Sequence, residues 1–172
     1  MANTQQPRLA NVGLLGRRSG VWRDVACSLD GQLSAARLPS IENDRDAGSN
    51  DSDKTLTVPA GELWHVVGVF VDFSATATAG TRLVWLEIRD DSDVVHLTYR
   101  SPAGISANQQ RIWTWQAGAS DYNSFAGTLT HMSLSNELWL PEGWDLRVYD
   151  QAAIEPNGDD MVISVTHDTI LT

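Results

Sequence analysis

From Leu56 to His167 the chain is written in short apolar alternations, each cut off by residues that favour turns. Alternation with a period of two places successive side chains on opposite faces of an extended backbone, so each run reads as a half-buried strand. The expected strands cover Thr55–Val58, Leu63–Ser74, Arg82–Arg89, Val94–Tyr99, Gln110–Gln116, Thr128–Met132, Ser135–Leu140, Trp144–Asp150 and Met161–His167. They recur at roughly 10–15-residue intervals, and no amphipathic helix interrupts them. "DDSD" (Asp90–Asp93), "SPAG" (Ser101–Gly104) and "EPNGDD" (Glu155–Asp160) are the clearest breaks. Short strands at this spacing predict an all-β fold, an antiparallel β-sandwich of jelly-roll or Greek-key type.

Alternation also assigns faces. Trp144, Leu146 and Val148 are expected inside, with Asp145, Arg147 and Tyr149 outside. Val84, Leu86 and Ile88 oppose Trp85, Glu87 and Arg89; Leu134, Leu138 and Leu140 oppose Ser135, Glu137 and Trp139. Leu63 to Val71 is nearly all apolar, which reads as a strand buried on both faces, centrally or beneath an oligomer contact. Two phrases match, "VPAGELWHV" (Val58–Val66) and "LPEGWDLRV" (Leu140–Val148). Pro at the second turn position and Gly at the fourth suggest a type I turn launching a strand in each.

Residues 1–57 are different: rich in Gly, Ser, Asn, Asp and Arg, with apolar islands too short to build a core. "ENDRDAGSNDSDK" (Glu42–Lys54) reads as a polar linker. The expected organisation is a docking arm and linker over 1–54 and a sandwich domain over 55–172. An arm of this composition is either disordered or ordered by lying on another chain; the second reading makes it an anchor. Charge divides in the same place. Residues 1–57 are neutral, whereas 58–172 carry five Arg against fifteen Asp and Glu, the whole of the net −10. An acidic body repels phosphate, so no nucleic-acid partner is expected. No apolar run of ~18 residues exists, so no membrane span is expected, and no signal peptide is apparent. Cys27 is the single cysteine; it excludes an internal disulfide and fits folding in a reducing cytoplasm.

No chemical constellation emerges. His65, His96, His131 and His167 have no ligand spacing, and no nucleophile elbow or phosphate-binding loop is present. With so many acids, a carboxylate pair such as Glu62 with Glu87 arises by chance. The Asp groups at 90, 91, 93 and at 159, 160 lack an EF-hand spacing and read as solvated turns. The chain is therefore expected to be no enzyme and to carry no cofactor or metal. Seven tryptophans remain. Trp85, Trp113, Trp115 and Trp139 are candidates for oligomer contacts or for stacking on sugar rings, with plain core packing as the third possibility. In the arm, Arg17, Arg18, Trp22 and Arg23 are the candidate partner contacts, because residues 1–41 carry five Arg against Asp24 and Asp30 while the body is acidic.

"RLVWLEIRDDSDVV" and "LWLPEGWDLRVYDQAAIEPNGDDMVISV" resemble small virion structural proteins of tailed bacteriophages, in which a phrase like "LPxGWxLRVYDxAAIxxxxDDM" lies near the C-terminus. "VPAGELWHVVGVFVDFSATATAGTRLVWLEIRD" and "GVWRDVACSLDGQLSAA" extend the resemblance over most of residues 20–165. It brings no site residues. It implies a virion component made in the host bacterial cytoplasm, with a sandwich body and an N-terminal docking arm. Expected partners are the major capsid protein or other virion proteins and further copies of itself. Capsid decoration or cementing is the leading reading; a glycan-binding module on a head or tail appendage, or a neck or tail accessory protein, is the alternative.

Overall fold

The computed structural model describes residues 16–18, 21–23, 26–27, 33–34, 40–49, 51–119, 122–125 and 129–171. The chain divides into two units, Met1–Leu38 and Pro39–Thr172. In the first, β1 (Gly16–Arg18) pairs antiparallel with β2 (Val21–Arg23), and β3 (Ala26–Cys27) with β4 (Leu33–Ser34).

The second unit is all β among its described residues. Its strands are β5 (Ser40–Asp46), β6 (Asp53–Thr57), β7 (Glu62–Ser74), β8 (Val84–Arg89), β9 (Val95–Arg100), β10 (Gln110–Ala117), β11 (Tyr122–Phe125), β12 (Leu129–Leu134), β13 (Trp139–Pro141), β14 (Asp145–Asp150) and β15 (Asp160–Leu171). They form an antiparallel β-sandwich of jelly-roll type. Sheet I runs β11-β12-β10-β7-β15-β5, with β13 also on β7; sheet II runs β6-β14-β8-β9. One pair breaks the antiparallel rule: β10 and β12 run parallel, Trp113 beside Thr130 and Trp115 beside Met132. Both sheets feed one core, which includes Val66, Val71, Trp113 and Ile163 from sheet I and Val84, Leu86, Leu146 and Val148 from sheet II.

Eight of the nine expected strands are present; of the ninth, Ser135–Leu140, only Trp139 and Leu140 are extended, in β13, and the residues before them turn the chain out of β12. The linker expected at Glu42–Lys54 is not one. Its first half is β5, an edge strand on β15, and Lys54 is buried in β6 with its ammonium on Gly48 O (2.8 Å) and Asp51 (3.1 Å). The polar composition misled because β5 is an edge strand whose residues from Ile41 on are exposed or half-buried.

The apolar run of β7 also has another cause than burial on both faces. The ladder to β15 shifts register between Thr166 and His167, which face Gly68 and Val66. This bulge spends Val67 as an extra residue and changes which side chains point inward. Trp64 and Val66 are buried before it, and Val69, Val71 and Phe73 after it. The outward set, including Leu63, Val67 and Phe70, stays partly exposed.

The matching phrases sit side by side. The chain crosses from β6 in sheet II to β7 in sheet I through the first, and from β13 in sheet I back to β14 in sheet II through the second. Val58 N–H donates to Trp144 O (2.9 Å) and Gly143 N–H to Val58 O (3.0 Å). Gly61 N–H donates to Glu142 Oε2 (2.6 Å). Each turn is closed one residue later than expected: Glu62 N–H bonds Pro59 O, and Trp144 N–H bonds Pro141 O. Gly61 and Gly143 therefore occupy the third position, at φ 79° and 77°. Positive φ at that position alone makes these type II turns, where the sequence suggested type I.

Candidate functional site

Among the described residues no group of three His, Cys, Asp or Glu converges as a metal site. His96 and His131 lie on different sheets, and each histidine has a local partner. His96 Nε2 meets Asp90 Oδ2 at 2.9 Å and stacks on Trp144; His131 Nδ1 meets Thr114 Oγ1 at 2.6 Å. His65 stacks on Trp139 with centroids 4.4 Å apart, while buried His167 stacks on Trp64 at 3.9 Å and meets Asp44 Oδ2 at 2.9 Å. Glu62 and Glu87 lie in different sheets; Glu62 accepts Trp64 Nε1–H, and Glu87 accepts the Tyr149 hydroxyl.

Two of the four candidate tryptophans of the body are core. Trp113 and Trp115 are 0% and 1% exposed, because alternation along β10 turns both rings toward sheet II. A shared face was legible in the sequence; which face it was depended on the neighbouring strands. Neither ring forms an outward platform on which a sugar could stack. Trp85 and Trp139 do lie outside, Trp139 being 39% exposed. Arg17, Arg18, Trp22 and Arg23 fall on β1 and β2, Arg17 in register with Trp22, and their side chains lie outside the described residues, as does that of Cys27.

Three surfaces remain as candidate sites. The first is the outer face of sheet II. Pairing puts Asp53, Tyr149, Trp85 and Arg100 in one row across all four strands, and Thr55, Arg147, Glu87 and Thr98 in the next. The Arg100 guanidinium lies 4.4 Å over Trp85, and Arg147 lies 4.3 Å over Tyr149. Trp85 meets Tyr149 edge-on, Tyr149 donates to Glu87 Oε1 (2.6 Å), and Arg147 Nε donates to Asp53 Oδ1 (2.7 Å). Partial burial, then the Glu87 bond, pushes the Tyr149 phenol up to about 12; the Asp53 hydrogen bond raises Arg147. The row is an interlocked polar surface, and the Trp85 face a sugar would need is occupied by Arg100.

The second surface is the outer face of sheet I, where β7, β10, β12 and β15 surround a shallow depression of about 220 Å³. Val67 and Phe70 line it beside Thr114, Gln116, His131 and Thr166, with Gly68 supplying the dip. Phe70 is 39% exposed in the middle of a central strand. The third is a cleft of about 380 Å³ between β9 and sheet I, lined by Thr98, Tyr99, Arg100, Pro102, Trp115 and Met132, among others. Sequence reading missed the cleft; for β7 it expected burial on both faces, centrally or beneath an oligomer contact, without naming the outward residues. The signal for the second was present, since Val67 and Phe70 are apolar in outward positions, but the phase change at the bulge concealed it.

No family model matches the chain, and no curated protein matches it. Among solved structures, 88% of the chain overlays 22% of an exo-beta-agarase chain at 11% identity, with a TM-score of 0.36. It also overlays 37% of a chain of infectious bursal disease virus, Gx strain (87% of this chain, 9% identity, TM-score 0.30). A chain of the T13 particle of the same virus overlays at 11% identity over 90% of this chain and 44% of that one, with a TM-score of 0.28. This chain thus spans less than half the length of each. Overlays this distant extend no function to it.

Proposed function

We propose that this chain is a non-enzymatic structural subunit of a virion, most specifically a decoration or cement protein of a tailed-phage head that binds the major capsid protein. The phrases around "LPEGWDLRVYDQAAIEPNGDDM" support the virion reading by resemblance. The observation that carries an interaction role is the outward face of β7. Phe70 and Val67 are apolar side chains on a central strand, pointing away from a core that is already full. Apolar groups gathered on the middle of a sheet face mark a contact surface. The body docks there, and the basic N-terminal segment adds a second point of attachment, which raises avidity because its binding is intramolecular once the body is seated.

Glycan binding has less support. Of the four tryptophans that suggested it, two are buried, Trp85 is covered by Arg100 and Trp139 is stacked by His65.

The test is copy number per particle for the intact chain and for Phe70→Asp, after purification of particles grown with each. Hundreds of copies for the wild type, with loss on substitution and an unchanged unfolding midpoint, is the expected result. Particles that lack the wild-type protein, or that hold Phe70→Asp at full copy number, would remove this reading.

A further inference from the structure

We propose that the outer edge of β9 accepts a strand from a partner protein, and that the donated segment is extended, apolar at alternate residues and acidic. This goes beyond the virion reading and does not depend on it.

β9 pairs with β8 on one side, and no described strand pairs with its other side. An unpaired strand edge offers a row of backbone donors and acceptors, and natural proteins usually blunt such an edge with lysine, proline or an inward charge. β9 carries none of these. Val95 and Leu97 are 45% and 43% exposed, and Val94 just before the strand is more so. Its one irregularity is at the start, where the register shifts between Ile88 and Arg89, leaving Leu97 to Arg100 in regular pairing.

Space and chemistry agree with the open edge. The cleft beside β9 has Trp115 and Met132 of sheet I among its walls. β9 stands opposite β10 and β12, and sheet I continues to β11, so a further strand of sheet II would have sheet I beneath it. A strand laid there would satisfy the β9 backbone and place alternate side chains in the cleft, the arrangement of β-augmentation.

Charge selects the occupant. In a chain of net charge −10, the stretch Val94–Ser120, which includes β9 and β10, has no Asp or Glu and contains His96, Arg100 and Arg111. His96 already faces Asp90. Exposed Arg100 lies on Trp85 and has no carboxylate partner among the described residues. A donated segment with carboxylates near Arg100 is therefore matched, and a basic one is opposed.

Panning a random dodecapeptide library against the intact chain tests this, with hydrogen exchange to locate the enriched peptides. Expected is enrichment of extended sequences that alternate apolar residues with Asp or Glu, and slowed exchange over Val95–Arg100. Arg100→Glu should weaken those peptides about tenfold, the scale of a close charge pair, and Leu97→Lys should abolish binding. Both side chains are exposed, so circular dichroism and the unfolding midpoint should match wild type. Failure to enrich any peptide, protection of another segment, or undiminished affinity in Arg100→Glu would each overturn the proposal. So would sedimentation showing an oligomer that Leu97→Lys dissolves, since the occupant of β9 would then be a second copy.

Discussion

Arg82 and Asp159 form a two-pronged ion pair, Nε to Oδ2 at 2.8 Å and Nη2 to Oδ1 at 3.1 Å, with both side chains fully buried. The remaining guanidinium protons go to Thr78 O, Gly80 O and Thr76 Oγ1, while Asp159 also accepts from Thr76 N (2.7 Å) and Thr76 Oγ1. Every element of the pair is satisfied, so it joins the loop after β7 to the start of β15. Removing one partner strands a buried charge, which costs about 3–5 kcal/mol. Asp159→Ala should lower stability by that order in urea unfolding, whereas Arg82→Met with Asp159→Leu should recover part of it.

Burial alone would raise the Asp159 carboxyl, but the bonds from Arg82 and Thr76 overcome it and hold the group below its ordinary range; Glu155 is lowered chiefly by a hydrogen bond from Thr76. A carboxyl lowered in the folded state contributes stability that is present above its unfolded value, about 4, and is lost as pH falls through the folded value. The unfolding midpoint should therefore drop below about pH 4. In Asp159→Asn that drop should be shallower, which thermal scans across pH would read.

Tyr149 behaves oppositely. Its phenol is pushed up to about 12, so folding favours the neutral form, and the contribution fades as pH rises from about 10 through the folded value. Absorbance at alkaline pH should show one tyrosine ionising near 12. In Glu87→Gln it should ionise earlier, though still above its ordinary value, because burial is the larger cause.

Gly61 and Gly104 separate two costs of adding a methyl group. A Cβ at Gly61 meets nothing within 4 Å, so Gly61→Ala bears only the left-handed backbone, about 1–2 kcal/mol. A Cβ at Gly104 would sit 2.5 Å from Arg82 O and 2.4 Å from Thr81 Cγ2. Gly104→Ala should be the more destabilising in chemical unfolding, although its backbone is not in the left-handed region.

Trp113→Ala should cost about 3–5 kcal/mol, as expected for a large buried ring. Trp85→Ala, which loses an exposed cation–π contact, should cost about 0.5–1 kcal/mol. Equal effects in denaturant titrations would contradict the placement of these rings.

Much was decided by the sequence alone. Period-two alternation located eight of the nine expected strands and the inward sets on β8 and β14, because a strand that covers a core on one side must alternate; Ser135–Leu138 alternates too, yet forms a turn. It could not locate β5, since an edge strand with polar, exposed residues leaves no such pattern. Nor could it phase β7, where a bulge makes two alternations look like one continuous apolar run. The tertiary structure decided which face of β10 holds Trp113 and Trp115, and it turned Asp159 from an apparent loop acid into the buried partner of a residue seventy-seven positions away. It also set the two P-x-G turns against each other, hydrogen-bonded at the crossing between sheets. Local physics determines where a backbone extends and where it turns. Which side becomes interior, and which charges meet there, is determined by contacts between residues distant in the chain.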